Sequence, residues 1–310
     1  MKIKRVWLGF IMLLGFSLSQ SLASSEARIS LKVINDDGIP VTNFPVNAGF
    51  YDADKFHGLT DTNGSFTMEG HAGYIHEANW ILQKTGYYYS GLSYQFKDGV
   101  KNGKLQPWDP VVTAVVRRVV NPIPMYAKNV RALVPVLDEF LGYDLMKGDW
   151  VTPHGNGQVS DLVFKMQNRF VNVHDFATSL ELQFTNVIDG MQEVPLSSFA
   201  PSDYALPRMA PFDGYTRDFR FTECSTNYLN PNEDRSFLFR VRTETNSAGK
   251  IVSAFYGKIR GNIHIDGRWS KTGSILFNYY LNPTPNDRNL EFDPKRNLLT
   301  PRPGEIVNKP

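Results

Sequence analysis

Residues 236–281, SFLFRVRTETNSAGKIVSAFYGKIRGNIHIDGRWSKTGSILFNYYL, are the longest stretch of the chain written in one structural pattern, and the pattern is antiparallel β. Phe237, Phe239, Val241 and Thr243 alternate with Leu238, Arg240, Arg242 and Glu244. A period of two puts apolar and β-branched side chains on one face and mostly charged ones on the other, as in a half-buried strand. Asn246-Ser-Ala-Gly249 and Asp266-Gly267 supply turns, Gly257 and Gly261 are expected to break the middle run into shorter strands, and Ser274 to Leu281 closes the meander.

The N-terminal third reads in the same way. Ile29, Leu31 and Val33 alternate with Ser30 and Lys32, Asn35-Asp-Asp-Gly38 turns the chain, and a second strand runs from Pro45. Asn63-Gly64, flanked by Leu59 and Phe66, is the signal of a two-residue type I′ hairpin, which predicts that the flanking strands pair. Asp37-Gly38-Ile39-Pro40, Val46, Thr60-Asp-Thr-Asn-Gly-Ser-Phe66 and Gly86-Tyr87 together resemble the carboxypeptidase regulatory-like (transthyretin-related) β-sandwich domain, over residues 28–120. The resemblance implies a spacer or binding module with no catalytic residues of its own. Where that pattern has a plain hairpin partner, this chain carries EGHAGYIHEANWILQKT between Met68 and Gly86, a candidate binding loop.

Lys2, Lys4 and Arg5 precede an apolar run to about Leu18, and Ser21-Leu-Ala23 offers small residues for cleavage. Residues 1–23 are therefore expected to be a signal peptide, leaving no transmembrane segment after its removal. It takes with it three of the 33 basic residues and none of the 31 acidic ones, so the mature chain stands near −1. No basic field remains of the kind nucleic acid requires, and nucleic acid is excluded as a partner. Cys224 is the single cysteine, so no disulfide can form within the chain and packed core must hold the fold. An exported chain built this way fits the bacterial envelope, in the periplasm or at the cell surface.

Asn121-Pro-Ile-Pro124 reads as a connector, with a proline-rich linker over 121–126. Val130, Leu133, Val134, Leu137 and Leu141 lie three and four apart, which predicts one short amphipathic helix after the linker. Residues 127–285 then return to strand patterns, and 286–310, rich in proline and charge, are expected to be an extended or disordered tail. The expected fold is all-β: two β-sandwich domains, the second a sandwich or jelly roll.

No complete catalytic signature is present. His154 with Asp161 has the elements of a base and its orienter but lacks a nucleophile in a recognisable setting. His71 and His76 lack the close spacing of a zinc pair, and Asp61 to Gly64 is explained by turn formation, so no metal or cofactor is expected. Aromatic density is the stronger signal. Tyr87, Tyr89, Tyr94 and Trp108 are the candidate ligand-binding residues, with alternation turning Tyr88 the other way. The expectation is an exported, non-catalytic binding or structural protein that meets carbohydrate or an envelope protein through exposed aromatics. The alternative is an exported hydrolase of carbohydrate or peptide, its acid and base drawn from Asp149, Asp161, Glu181 and Asp189.

Overall fold

The computed structural model describes residues 24–226, 228, 234–269 and 271–310; the expected signal peptide lies outside them. The described chain is almost wholly β, with one four-residue 3₁₀ turn at Leu196–Phe199, and none of its helices is long and apolar enough to cross a membrane.

Nine strands build the N-terminal half: β1 (Ser25–Ile34), β2 (Pro45–Phe50), β3 (Lys55–Leu59), β4 (Ser65–Ala72), β5 (Glu77–Leu82), β6 (Ser90–Gln95), the short β7 (Val100–Lys101) and β8 (Lys104–Leu105), and β9 (Val111–Val115). One sheet centres on β1, which pairs antiparallel with β4 and parallel with β8 and β9; the other runs β3-β2-β5-β6. The alternation predicted for β1 holds, with Ala27, Ile29, Leu31 and Val33 all turned into a core shared with Phe44, Val46, Trp80 and Leu82. Trp80 comes from the expected binding loop, which is instead the strand β5 at the centre of a sheet. Burying such large side chains outweighs any tendency to stay a loop, at about 1.5–3 kcal/mol for each.

The Asn63-Gly64 turn differs from expectation. Asp61 Oδ1 accepts from the backbone N–H groups of Asn63 and Ser65, Gly64 N donates to Asp61 O at 3.0 Å, and Gly64 alone of the pair takes a positive φ, +72°. This is a type I turn with a left-handed glycine, and the acid at its first position organises it. The turn carries the chain from β3 in one sheet to β4 in the other, so the two strands do not pair. The same arrangement recurs at Asn35-Asp-Asp-Gly38 and Asn246-Ser-Ala-Gly249, each with the asparagine side chain accepting from two downstream N–H groups. Only glycine fits at position 64, because a Cβ there would lie 2.5 Å from Val33 O.

Eleven further strands form the second half: β10 (Ile123–Leu133), β11 (Leu141–Asp144), β12 (Asp149–Trp150), β13 (Leu162–Asn172), β14 (Asp175–Gln183), β15 (Gly190–Val194), β16 (Asp218–Cys224), β17 (Ser236–Thr245), β18 (Ile251–Asp266), β19 (Ser274–Leu281) and β20 (Phe292–Asn297). They make two sheets, β15-β17-β18-β19-β10-β20 and β12-β11-β13-β14-β16, with one aromatic-rich core between them. The expected helix is absent. Its region begins as the strand β10, whose Val130 and Ala132, with Val134 just beyond, face the main core while Met125 and Ala127 face a second cluster with Tyr280, Phe292 and Val307. The three-and-four spacing spans separate pieces: Val130 and Val134 are buried, Leu133 at the end of β10 is exposed, and Leu141 belongs to β11. Ile123 to Tyr126, expected in the linker, are sheet residues too, and the tail is pinned where β20 pairs with β10 and Val307 is buried.

Strand β18 runs unbroken through Gly257 and Gly261. Gly257 lies under the Phe239 ring, where a Cβ would come within 2.2 Å of it, and Gly261 (φ +84°) sits at a shift in the β18–β19 register. The face of β17 expected to meet solvent is covered too. Leu238 packs with Ala210, Tyr256 and Leu290, and Arg240 donates to the carbonyls of Phe212 and Ile188.

Candidate binding groove between the two sandwiches

Strand β6 is the outer strand of its sheet, and an open edge of this kind invites pairing. The loop after the 3₁₀ turn supplies a partner: Ser202 bridges Ser90, and Asp203 N donates to Tyr89 O at 2.8 Å. The backbone of Tyr89 is thereby held by both halves of the molecule. Its ring remains 42% exposed and lies across Gly91, where a Cβ would meet the Tyr89 hydroxyl at 2.8 Å. A groove of about 510 Å³ opens on one side, lined by Leu196, Ser197, Pro201, Ser202, Arg260 and Lys309 among others. A shallower one of about 400 Å³, bordered by Asn79, Ile81 and Ser93, lies on the other side of the same ring. Volumes of this order suit a small-molecule ligand.

The other candidate aromatics are spread apart. Tyr87 packs edge-on against Phe44 and accepts a hydrogen bond from Arg118 Nε, in a separate crevice with Asp36 and Arg208. Tyr94 packs against Phe96, and Trp108 lies 4.3 Å under the Lys104 ammonium. Tyr88, which lies outside any strand, points into the junction and donates to Glu291 Oε1 at 2.7 Å. Burial pushes the Glu291 carboxyl pKa up, but the Tyr88 hydroxyl, the Val120 and Asn121 amides and Arg208 outweigh it and hold it below the usual carboxylate value. Sequence reasoning missed Ser197, Ser202, Arg260 and Lys309, which carry no local motif and meet Tyr89 only through the tertiary fold.

The carboxylates proposed for hydrolysis are occupied elsewhere. Asp149 accepts from Asn156 and from Trp150 N, Asp161 is clamped by Arg242, Asp189 accepts from Thr243 N, and Glu181 faces Arg220 across the sheet. His154 is exposed in a turn and Asp161 is buried and held by Arg242, so the two do not form a base and its orienter. Among the described residues no three His, Cys, Asp or Glu side chains gather where they could hold a metal ion.

Glu223 is the acid most displaced toward neutrality. Burial and then Asp266 raise it from 4.5 to about 7, against the opposing Arg268. A folded pKa above the unfolded one means that the native state binds the extra proton, so this group's contribution is lost as pH rises from about 4.5 through 7. Glu223→Gln is therefore expected to raise the melting temperature at pH 8 and leave it unchanged at pH 4. An equal shift at both values would mean that Glu223 does not titrate in this window.

No family of proteins matches the chain in a scan of family models, and no curated protein matches it. Among solved structures, a crystal structure of a Bacteroides uniformis protein, provisionally described as carbohydrate-binding, aligns over 81% of this chain and 97% of that chain. Identity is 6% and the TM-score 0.18, too little superposition for the likeness to carry an argument.

Proposed function

We propose that this chain is an exported, non-catalytic binding protein of the bacterial envelope, in the periplasm or at the cell surface, and that it holds carbohydrate against Tyr89. The observation that carries this reading is a partly exposed tyrosine whose hydroxyl and ring edge lie over Gly91 and which two grooves share, its backbone tied down from both sandwiches. An amphipathic ring fixed in this way offers a stacking face to a sugar at little entropic cost. The amide of Asn79 and the hydroxyl of Ser93 border it and can pair with sugar hydroxyls, and the Ser197 hydroxyl, which donates to Asp234, can still accept. The N-terminal resemblance supports the same reading, since such sandwiches serve as spacers or binding modules. So does the basic-then-apolar leader, with β1 starting two residues beyond the expected cleavage after Ala23.

A glycan array followed by calorimetry on the best binder tests the reading. Tyr89→Ala is expected to weaken binding about tenfold or more, a loss of about 1.4 kcal/mol, whereas Tyr94→Ala and Trp108→Ala leave it nearly unchanged. Glycan binding that survives Tyr89→Ala, or capture of a protein with no glycan bound, would sink it. Export is tested by N-terminal sequencing of the processed protein, expected to begin at Ser24.

A further inference from the structure

Two basic side chains on the same face of β18 lack polar partners among the described residues. Arg260 lines the Tyr89 groove and makes no hydrogen bond or ion pair among the described residues, and its Nε is enclosed by protein with no acceptor. Two residues earlier, Lys258 is fully buried, its Nζ without a hydrogen-bond acceptor and held only over the Tyr204 and Tyr280 rings at 4.6 and 4.8 Å. Burial, then the fields of Arg260 and Arg117, press the Lys258 ammonium well below its ordinary pKa. Of the groove's other charges, two pair with each other, and Asp234 is hydrogen-bonded but keeps its negative charge. Lys309 Nζ pairs with Asp203 at 2.6 Å, and the two carboxylate oxygens of Asp234 accept from Ser197 N and Oγ. Among the described residues, Arg260 is thus the groove cation left without a counter-ion.

Resting on the carbohydrate reading above, we infer that the groove selects acidic glycans, placing a sugar ring on Tyr89 and a sugar carboxylate on Arg260. A guanidinium takes a carboxylate in a two-point fork, which fixes orientation as well as adding attraction. The second groove, beyond Tyr89, gives room for the next residue of an oligosaccharide. An extended peptide ending in a carboxylate is the rival occupant. Its usual mode, adding a strand to a sheet edge, is blocked at the groove end of β6, where Ser202 already bridges Ser90.

The test is calorimetry on the full mature chain with uronic-acid oligosaccharides (oligogalacturonate, oligomannuronate and oligoguluronate), each matched to its methyl ester. At least one acid is expected to bind about tenfold or more tightly than its ester, with affinity falling as salt rises. Arg260→Gln should abolish that preference, Arg260→Lys should retain part of it, and Tyr89→Ala should weaken acid and ester alike. Melting curves of the Arg260 variants confirm that they fold. Acid and ester bound equally, or a preference that survives Arg260→Gln, overturns the acidic selection and leaves the carbohydrate reading standing. Neutral glycans bound through Tyr89 with no acid bound does the same. No glycan of any kind bound overturns both.

Discussion

Arg242→Ala is expected to cost about 3–5 kcal/mol, the usual penalty for removing one partner of a buried ion pair. Arg242 lies where β17 slips out of register with β18, and its φ of +55° turns the side chain inward instead of along the sheet's regular alternation. The guanidinium grips Asp161 through Nε at 2.7 Å and Nη2 at 2.9 Å, and reaches Asp144 at 2.9 Å. Asp144 keeps four backbone donors without it, from Met146, Lys147, Gln158 and Val159. Asp161 keeps only Leu145 N, so it is the carboxylate left stranded. Burial already raises the Asp161 pKa, and the arginine is the main influence that lowers it. Removing Arg242 lifts the folded pKa further above the unfolded one, so the variant loses stability as pH rises and regains part of it on acidification. Urea unfolding should accordingly show a larger deficit at pH 7 than at pH 5. A loss under about 1 kcal/mol, or one independent of pH, would show that the clamp is an exposed pair of little worth.

That clamp marks the limit of what the sequence discloses. The alternations at Ile29 to Val33 and Phe237 to Val241 are local, and they correctly predicted strands and an all-β chain. Turn chemistry is local too, although the informative residue at 61–65 is Asp61, four positions before the closing Ser65, and not the Asn63-Gly64 pair. What covers an element is not local. Arg240 and Leu238 look solvated until residues 210–215 and 282–290 fold over them, and the stretch from Val130 looks helical because its spacing runs across the end of β10 into β11. The arginines that join distant segments are the least legible: Arg242 and Arg117 meet their acids across 81 residues each. Of the four candidate aromatics, Tyr89 is the one more than a third exposed, and its companions Arg260 and Lys309 belong to a strand and a tail with no sequence tie to it.

Arg117→Ala is expected to be comparably costly and to act on binding as well. The side chain is almost wholly buried between the two sandwiches, stacked 4.0 Å from Phe199 and 4.4 Å from Tyr204. Its Nη1 donates to the carbonyls of Tyr204 and Leu206, both at 2.6 Å, and its Nε donates to Asp36 at 3.0 Å. Asp36 would keep Arg208, also at 3.0 Å, so the acid is not stranded. The loss falls on two buried carbonyls, at about 1–3 kcal/mol each when left unpaired, and on the space between two rings, giving about 3–5 kcal/mol in all. Arg117→Lys keeps the charge but cannot serve both carbonyls and Asp36 from one ammonium, so it should fall between the two. Because Tyr204 directly follows Ser202 and Asp203, which hold the β6 edge and the Tyr89 backbone, loosening this loop should weaken glycan binding even though Arg117 does not line the groove. Calorimetric melting is expected to separate into two transitions as the joint between the cores opens. An Arg117→Ala protein that melts as one unit within about 1 kcal/mol of the parent, with its binding intact, would mean that the sandwiches are held together by something other than this arginine.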